Sequence, residues 1–214
     1  MLPLLSAHIP KTAGTSFRFA LIDIYGAERA FFDYGAITDG FGAAHPGLPD
    51  RASVVHGHVW PGRHPSREII TWVRDPAQRL ASHYEHFRRE PYNPNPVAHQ
   101  IHHHGMTFED FIEHPDMINA MSGMFGPIDY HDFAFIGICE NYDAEMQRAA
   151  DYLGWPRIPV PARALQNPDK FAETYSLPQG IRNRILELNQ RDYEMYEFAL
   201  AVQTDYSHQN LLVG

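Results

Sequence analysis

The run His8-Ile9-Pro10-Lys11-Thr12-Ala13-Gly14-Thr15-Ser16-Phe17 constrains the fold more than any other part of the chain. An apolar stretch (Leu2, Leu4, Leu5, Ala7, Ile9) enters a turn of small residues, and an amphipathic segment with Phe17, Ala20, Leu21 and Ile24 leaves it. This order predicts a strand, an anion-binding loop and a helix. The first N–H groups of a helix have no internal acceptor and carry partial positive charge, so an anion is stabilised there. Gly14 lets the backbone approach such a ligand closely. Thr12, Thr15 and Ser16 add hydroxyl donors, and Lys11 adds a full charge. The run is not a Walker A motif, which places its lysine directly after the last glycine. Here Lys11 stands three residues before Gly14, with no glycine upstream of it.

A second segment, Glu68-Ile69-Ile70-Thr71-Trp72-Val73-Arg74-Asp75-Pro76, reads as a buried strand that ends at a helix start. The apolar run suits a strand covered on both faces. Asp75 is a good N-cap and Pro76 suits the first helical position. The helix is expected over 76–87, with Leu80, Tyr84 and Phe87 as its buried stripe and Arg79, Ser82, His83 and His86 on another face. Arg74 then sits at the C-terminal end of a strand, where open α/β sheets bind ligands. Taken by itself, Arg74 reads first as a salt-bridge partner of Asp75 or a neighbouring carboxylate. Together with Ser82 it can instead grip a phosphate, by a bidentate pair and a hydroxyl bond.

Here the motifs resemble a known family. Residues 10–17 resemble the 5′-phosphosulfate loop of sulfotransferases that use 3′-phosphoadenosine 5′-phosphosulfate (PAPS), and Val73-Arg74-Asp75-Pro76 with Arg79-Leu80 and Ser82 resembles their 3′-phosphate motif. The wording is most similar to the carbohydrate branch with the heparan sulfate and uronyl 2-O-sulfotransferases. Val55-His56-Gly57-His58-Val59 lies between the two motifs and resembles that branch's His-Gly-His element. The resemblance implies His58 as general base, His56 as a supporting or substrate-contacting residue, and Lys11 as the group that stabilises the leaving phosphate. It implies a cofactor site of Lys11, Thr12, Ala13, Gly14, Thr15, Ser16, Arg74 and Ser82. The expected product is 3′-phosphoadenosine 5′-phosphate (PAP), with no metal required. The implied fold is α/β, a P-loop-like three-layer arrangement with a central, mostly parallel sheet flanked by helices. The acceptor expected is a hydroxyl of a carbohydrate or another hydroxylated molecule. Weaker similarity continues through Phe135-Ile136-Gly137-Ile138-Cys139-Glu140 and residues 192–199. Alternatives are an ATP-dependent small-molecule kinase, disfavoured by the position of Lys11 and the lack of a clear magnesium-binding pair, and a non-catalytic nucleotide-binding protein. A metal hydrolase is a distant third.

At 214 residues the chain suits one α/β domain, 1–214. A net charge of −9 gives no electrostatic case for nucleic acid or an anionic membrane surface. It also weighs against a highly charged polymer as acceptor, unless Arg63, Arg67, Arg88, Arg89, Arg182, Arg184 and Arg191 gather into a local patch. Cys139, the single cysteine, excludes an internal disulfide and is expected in the core. No signal peptide and no apolar run of about 20 residues is present, so a cytoplasmic, bacterial protein without a membrane span is expected. The sequence does not indicate an oligomeric state. Three adjacent histidines, His102, His103 and His104, invite a metal reading, but no His-Glu-x-x-His or Cys-x-x-Cys spacing supports one.

The remainder is expected as follows. Residues 26–52 form an irregular connection with short elements, and Ser53 to Val59 a strand that delivers the two histidines. Residues 88–105, with prolines at 91, 94 and 96, form a long polar loop that serves as a lid or substrate loop. Two short helices follow around 108–112 and 118–125, then a strand from Phe133 to Cys139, a helix over 143–153, a proline-rich loop over 155–168 and one final helix over 179–202.

Overall fold

Leu4–Ala7 forms the first strand, β1, and lies buried along its whole length, as a central parallel strand covered on both faces should. The structure is a computed structural model that describes residues 2–35, 47–126, 128–159 and 174–211. Four further strands complete the sheet: β2 (Ala30–Asp33), β3 (Val54–Gly57), β4 (Glu68–Val73) and β5 (Phe135–Ile138). Their order is β2-β3-β1-β4-β5, with all neighbours parallel. The α/β architecture expected from the sequence is therefore present, and every strand pairing in it is parallel.

Helices cover both faces. On one side α1 (Gly14–Tyr25) and α5 (Tyr142–Leu153) pack Phe17, Leu21, Met146 and Ala149 against Leu4, Trp72 and Phe135. On the other, Met195 and Ala199 of α7 (Gln190–Leu211) pack with Ala7, Val73, Ile136 and Ile138. A third apolar cluster joins α2 (Pro76–Arg89), α3 (Pro96–His104), α4 (Phe108–Glu113) and α6 (Gln179–Leu188) through Leu80, Phe87, Val97, Phe111 and Ile185. Asp75 caps α2 as expected: its carboxylate accepts the Gln78 N–H at 2.8 Å, with proline in the first turn.

Four elements differ from the sequence expectations. Residues 88–105 are not one long loop, because α3 occupies Pro96–His104. Asn95 caps it by accepting the Val97 N–H, Pro96 takes the first helical position, and Gly105 ends it in the left-handed region. The proline that looked like a breaker is thus a helix start, and buried Val97 and Ala98 hold α3 to the body.

The final helix is two helices, α6 and α7, broken at Asn189. Asn189 is fully buried; its amide donates to the Ile185 carbonyl and its oxygen accepts the Asn119 N–H at 2.8 Å. Asn119 in turn accepts the N–H groups of Arg191 and Asp192, which open α7. The 26–52 connection contains a strand, β2, which the sequence reading did not assign. The second of the two short helices is a 3-10 turn, Ser122–Phe125. Cys139 is half-buried at the edge of the core, and burial pushes its thiol well above the usual range. Residues 160–173, which carry most of the expected proline-rich loop, lie outside the described residues. Among the described residues no helix is long and apolar enough to cross a membrane.

Candidate functional site

The C-terminal ends of β1, β3 and β4 open on one edge of the sheet, where parallel α/β folds place their ligands. The loop from β1 to α1 is tightly wound. Lys11 and Ala13 both take the left-handed region, with φ of 72° and 61°. For residues with a Cβ this costs roughly 1 kcal/mol or more each, so the surroundings must hold the loop in place. Thr12 does much of this, being fully buried with its hydroxyl donating to the Ile9 carbonyl at 2.8 Å. That hydrogen is therefore not available to a ligand. Ala13 is the N-cap of α1 and makes no side-chain cap bond. The N–H groups of Gly14, Thr15 and Ser16 thus open the helix without an intrahelical acceptor.

Parallel pairing of β1 and β3 sets Ser6 beside His56. His56 is buried, its Nδ1 lying 2.9 Å from Ser6 Oγ and its Nε2 3.1 Å from the Gly14 carbonyl. A carbonyl only accepts, so Nε2 carries the hydrogen and Nδ1 accepts from the serine. Burial lowers the His56 pKa to about 3, keeping the ring neutral. Both nitrogens are occupied, which leaves no atom for a substrate. His56 pins the start of α1. His58, beyond the end of β3, is half-buried and has no hydrogen-bond partner among the described residues. Burial lowers its pKa to about 4, so a free lone pair is present at neutral pH.

His8 was not singled out by the sequence reading, yet it lies at the centre of this group. Its ring stacks on His56 with centroids 5.2 Å apart and lies 4.7 Å from His58. Burial first, then His56, His58 and Lys11, holds its pKa well below the usual imidazole value. Tyr34 closes one side, its ring 5.0 Å from His58 and perpendicular to it. The Arg18 guanidinium covers Phe32 at 4.4 Å and reaches toward Tyr34.

This packing gives Gly14 a reason other than ligand approach. A Cβ on Gly14 would fall 1.9 Å from His8 Nε2. Gly14→Ala is therefore expected to expel the His8 ring, at a cost of about 1–3 kcal/mol from overpacking, which chemical denaturation would measure. Unchanged stability would show that the stack is loose.

Behind β2, the buried Asp33 carboxylate accepts Arg63 Nε at 2.7 Å, His64 Nε2 at 2.9 Å and the Gly35 N–H at 3.0 Å. Burial alone would raise the Asp33 pKa, but these three donors outweigh it and hold the carboxyl below its ordinary value. Arg63 is thus an interior residue, not part of a surface patch. Asp33→Ala removes the shared acceptor of Arg63, His64 and the Gly35 N–H and is expected to destabilise by about 1–3 kcal/mol. Urea unfolding checks this; a loss below about 1 kcal/mol, the scale of exposed pairs, would contradict it. Arg67, Arg88 and Arg184 pair with Glu68, Glu85 and Glu113 respectively, so most of the arginines considered for a basic patch have acidic partners.

Arg74 and Arg89 lie near the loop and act on Lys11. Burial, then repulsion from Arg89 and Arg74, lowers the Lys11 pKa to about 8, with Glu90 opposing. Arg74 is half-buried and, like Ser82 on α2, forms no side-chain hydrogen bond among the described residues. The salt bridge to Asp75 is not formed; Asp75 instead caps α2. Arg79 and His83 are buried on the same helix. Burial comes first in depressing His83, followed by Arg79, Lys11, His86 and His58, which joins α2 electrostatically to the loop and the histidines. Of the His102–His104 triplet, His102 bonds the Phe87 carbonyl while His103 and His104 are exposed.

The site thus combines open helix N–H groups, cations without an ion-pair partner among the described residues, and a neutral imidazole. Such a set can hold an anionic group and take a proton beside it. The fold is similar to the crystal structure of a sulfotransferase from Alicyclobacillus acidocaldarius, with a TM-score of 0.52 and 12% identity over 92% of this chain and 94% of that one. At that identity the likeness establishes the fold alone. No curated protein matches the sequence. The model of the sulfotransferase family, however, matches residues 2–199. The chain belongs to the sulfotransferase family.

Proposed function

We propose that this chain moves a sulfuryl group from PAPS to a hydroxyl of a carbohydrate or similar acceptor. The observation that carries the reading is the open start of α1, with Lys11 and Arg74, which form no ion pair among the described residues, and the imidazole of His58, packed on His8 at the same loop. These residues fit the cofactor: the N–H groups of 14–16 with Lys11 suit the 5′-phosphate, and Arg74 with Ser82 suits the 3′-phosphate. When bound, PAPS supplies an activated sulfuryl group and a phosphate leaving group. His58 takes the acceptor hydroxyl proton on its free nitrogen as that oxygen attacks. Lys11 and the loop amides hold the negative charge that develops on the departing side. A bound phosphate raises the Lys11 pKa from about 8 and keeps the ammonium charged through the physiological range. His56 and Ser6 hold the start of α1, and His8 stacks on His56.

The acceptor is proposed to carry little charge. Net charge is −9, and four of the seven arginines of the expected patch, Arg63, Arg67, Arg88 and Arg184, are paired with carboxylates, which weighs against a polyanionic acceptor. Membership of the sulfotransferase family does not favour the ATP-dependent kinase.

Arg74→Ala provides the test. Titrations with PAP and ADP should show that wild-type protein prefers PAP and that the variant loses this preference, weakening PAP by about tenfold or more, the scale of a charge-assisted bidentate pair. An unchanged preference would place the 3′-phosphate elsewhere.

A further inference from the structure

The helix α3 carries two histidines one turn apart, His99 and His103. Their rings lie side by side, with centroids 4.2 Å apart and planes at 36°. Residues at i and i+4 share a helix face. Both side chains are exposed, and neither has a hydrogen-bond or ion-pair partner among the described residues. The backbone beneath them is fixed. Val97 and Ala98 are buried, and Ile101 packs with them in the apolar cluster shared with α2, α4 and α6. The two imidazoles therefore face solvent on a helix that is held from behind.

The neighbouring histidines are placed differently. His102 bonds the Phe87 carbonyl, 2.8 Å from its Nε2, and so turns toward α2. The His104 ring lies 5.6 Å from that of His99, farther than His103. The pair that meets is thus not part of the adjacent triplet alone but spans one helical turn.

Imidazole nitrogen suits zinc, nickel and copper, whereas magnesium and calcium take oxygen ligands. Two nitrogens at about 2.0–2.1 Å from one zinc, in a tetrahedral arrangement, stand roughly 3.4 Å apart. Rings whose centroids are 4.2 Å apart reach that separation by small side-chain rotations, and exposed side chains make these freely. Histidines at i and i+4 of one helix are a known way of holding zinc. Among the described residues no third histidine, cysteine or carboxylate completes the set, so water fills the other positions.

We propose that His99 and His103 clamp one divalent transition cation of the zinc, nickel and copper class on the surface of α3. The cation ties the second turn of a nine-residue helix to its last. Helices of that length are marginal alone, so binding adds order to α3. The proposal is independent of the sulfotransferase reading, and neither falls with the other.

Calorimetric titration of the full chain with zinc, and separately with magnesium, tests this in wild type, His99→Ala, His103→Ala and His104→Ala. Amide hydrogen exchange over 96–104 is the second readout. Wild type should bind zinc and not magnesium, and zinc should slow exchange across α3. His99→Ala and His103→Ala should each weaken this binding about tenfold or more, since even a supporting partner of a metal-bound histidine contributes about 10–100-fold. Their α3 amides should no longer respond to zinc. His104→Ala should behave as wild type does. Metal-free melting temperatures should be alike for all four proteins, which separates a lost ligand from a lost fold. Zinc held elsewhere on the chain would remain in every variant and would not protect α3. Equal protection of α3 in wild type and His103→Ala would overturn the proposal, as would an α3 that ignores zinc in wild type. A loss with His104→Ala as large as that with His103→Ala would also overturn it, by moving the metal to the adjacent histidines.

Discussion

His58→Ala is expected to lower turnover by about 10²–10⁴-fold, the range typical of a removed general base, while PAP affinity stays nearly unchanged. The ring of His58 is half-buried, neutral at physiological pH and has no hydrogen-bond partner among the described residues, so its removal leaves no buried group unsatisfied. His56→Ala should behave differently. It strips Ser6 Oγ and the Gly14 carbonyl of their shared partner, at about 1–3 kcal/mol for each group left unsatisfied. Stability and PAP binding should therefore fall together with activity. Comparing kcat, PAP affinity and unfolding free energy for the two variants separates a base from a strut. If His58→Ala keeps its turnover and His56→Ala loses only kcat, the two roles are reversed.

Mild acid is expected to unfold the protein, with most of its stability lost between about pH 6.5 and pH 4. The ordinary imidazole value of about 6.5 describes the unfolded chain. In the folded protein burial holds His56 near 3 and His58 near 4, and keeps His8 and His83 well below the ordinary value. Below pH 6.5 the unfolded state therefore takes up protons that the folded state refuses, so stability falls with pH and is regained as pH rises. Each such group withdraws about 1.4 kcal/mol per pH unit between its two values. His56 alone withdraws about 3 kcal/mol by pH 4, against a total stability of about 5–15 kcal/mol typical of a domain. His8 and His83 act in the same direction. Denaturant midpoints measured from pH 7.5 to pH 4.5 should fall steeply. A flat profile would show that these rings are solvated or cationic in the folded state.

The parts of the fold legible in the sequence are those fixed by local chemistry. Asp75-Pro76 announces the start of α2 because an N-cap acts within its own turn, and α1 is announced by its own apolar spacing, Phe17, Ala20, Leu21 and Ile24, after the small-residue turn. The elements that escaped depend on distant partners. Asn189 breaks the last helical stretch because Asn119, some 70 residues away in sequence, supplies the bond that fixes it. The start of α3 was hidden differently: Asn95-Pro96 is a local signal, but it sits among prolines that mark a turn. β2 is a short strand whose place follows from pairing with β3.

The site shows the same division. Lys11, Arg74, Ser82 and His58 stand in recognisable motifs. Ser6 becomes meaningful only once strand register places it against His56, although a serine within the apolar run of β1 was a visible signal. His8 opens the most informative run in the chain, yet its contact with His56 and its claim on the space beside Gly14 exist only in three dimensions. Arg79 stood in the motif with Arg74 and Ser82 and read as one polar residue of a helix face. Nothing in the sequence says that this face turns inward.

The most direct measurement is calorimetric titration of the protein with PAP and, in parallel, with ADP, in metal-free buffer. The two nucleotides carry the same number of phosphates and differ in where the second one sits. The proposed site predicts tight PAP binding and weak ADP binding, with Arg74 and Ser82 as the proposed ligands of the 3′-phosphate. Equal affinities, or no binding of PAP, would contradict the assignment of this site to PAPS.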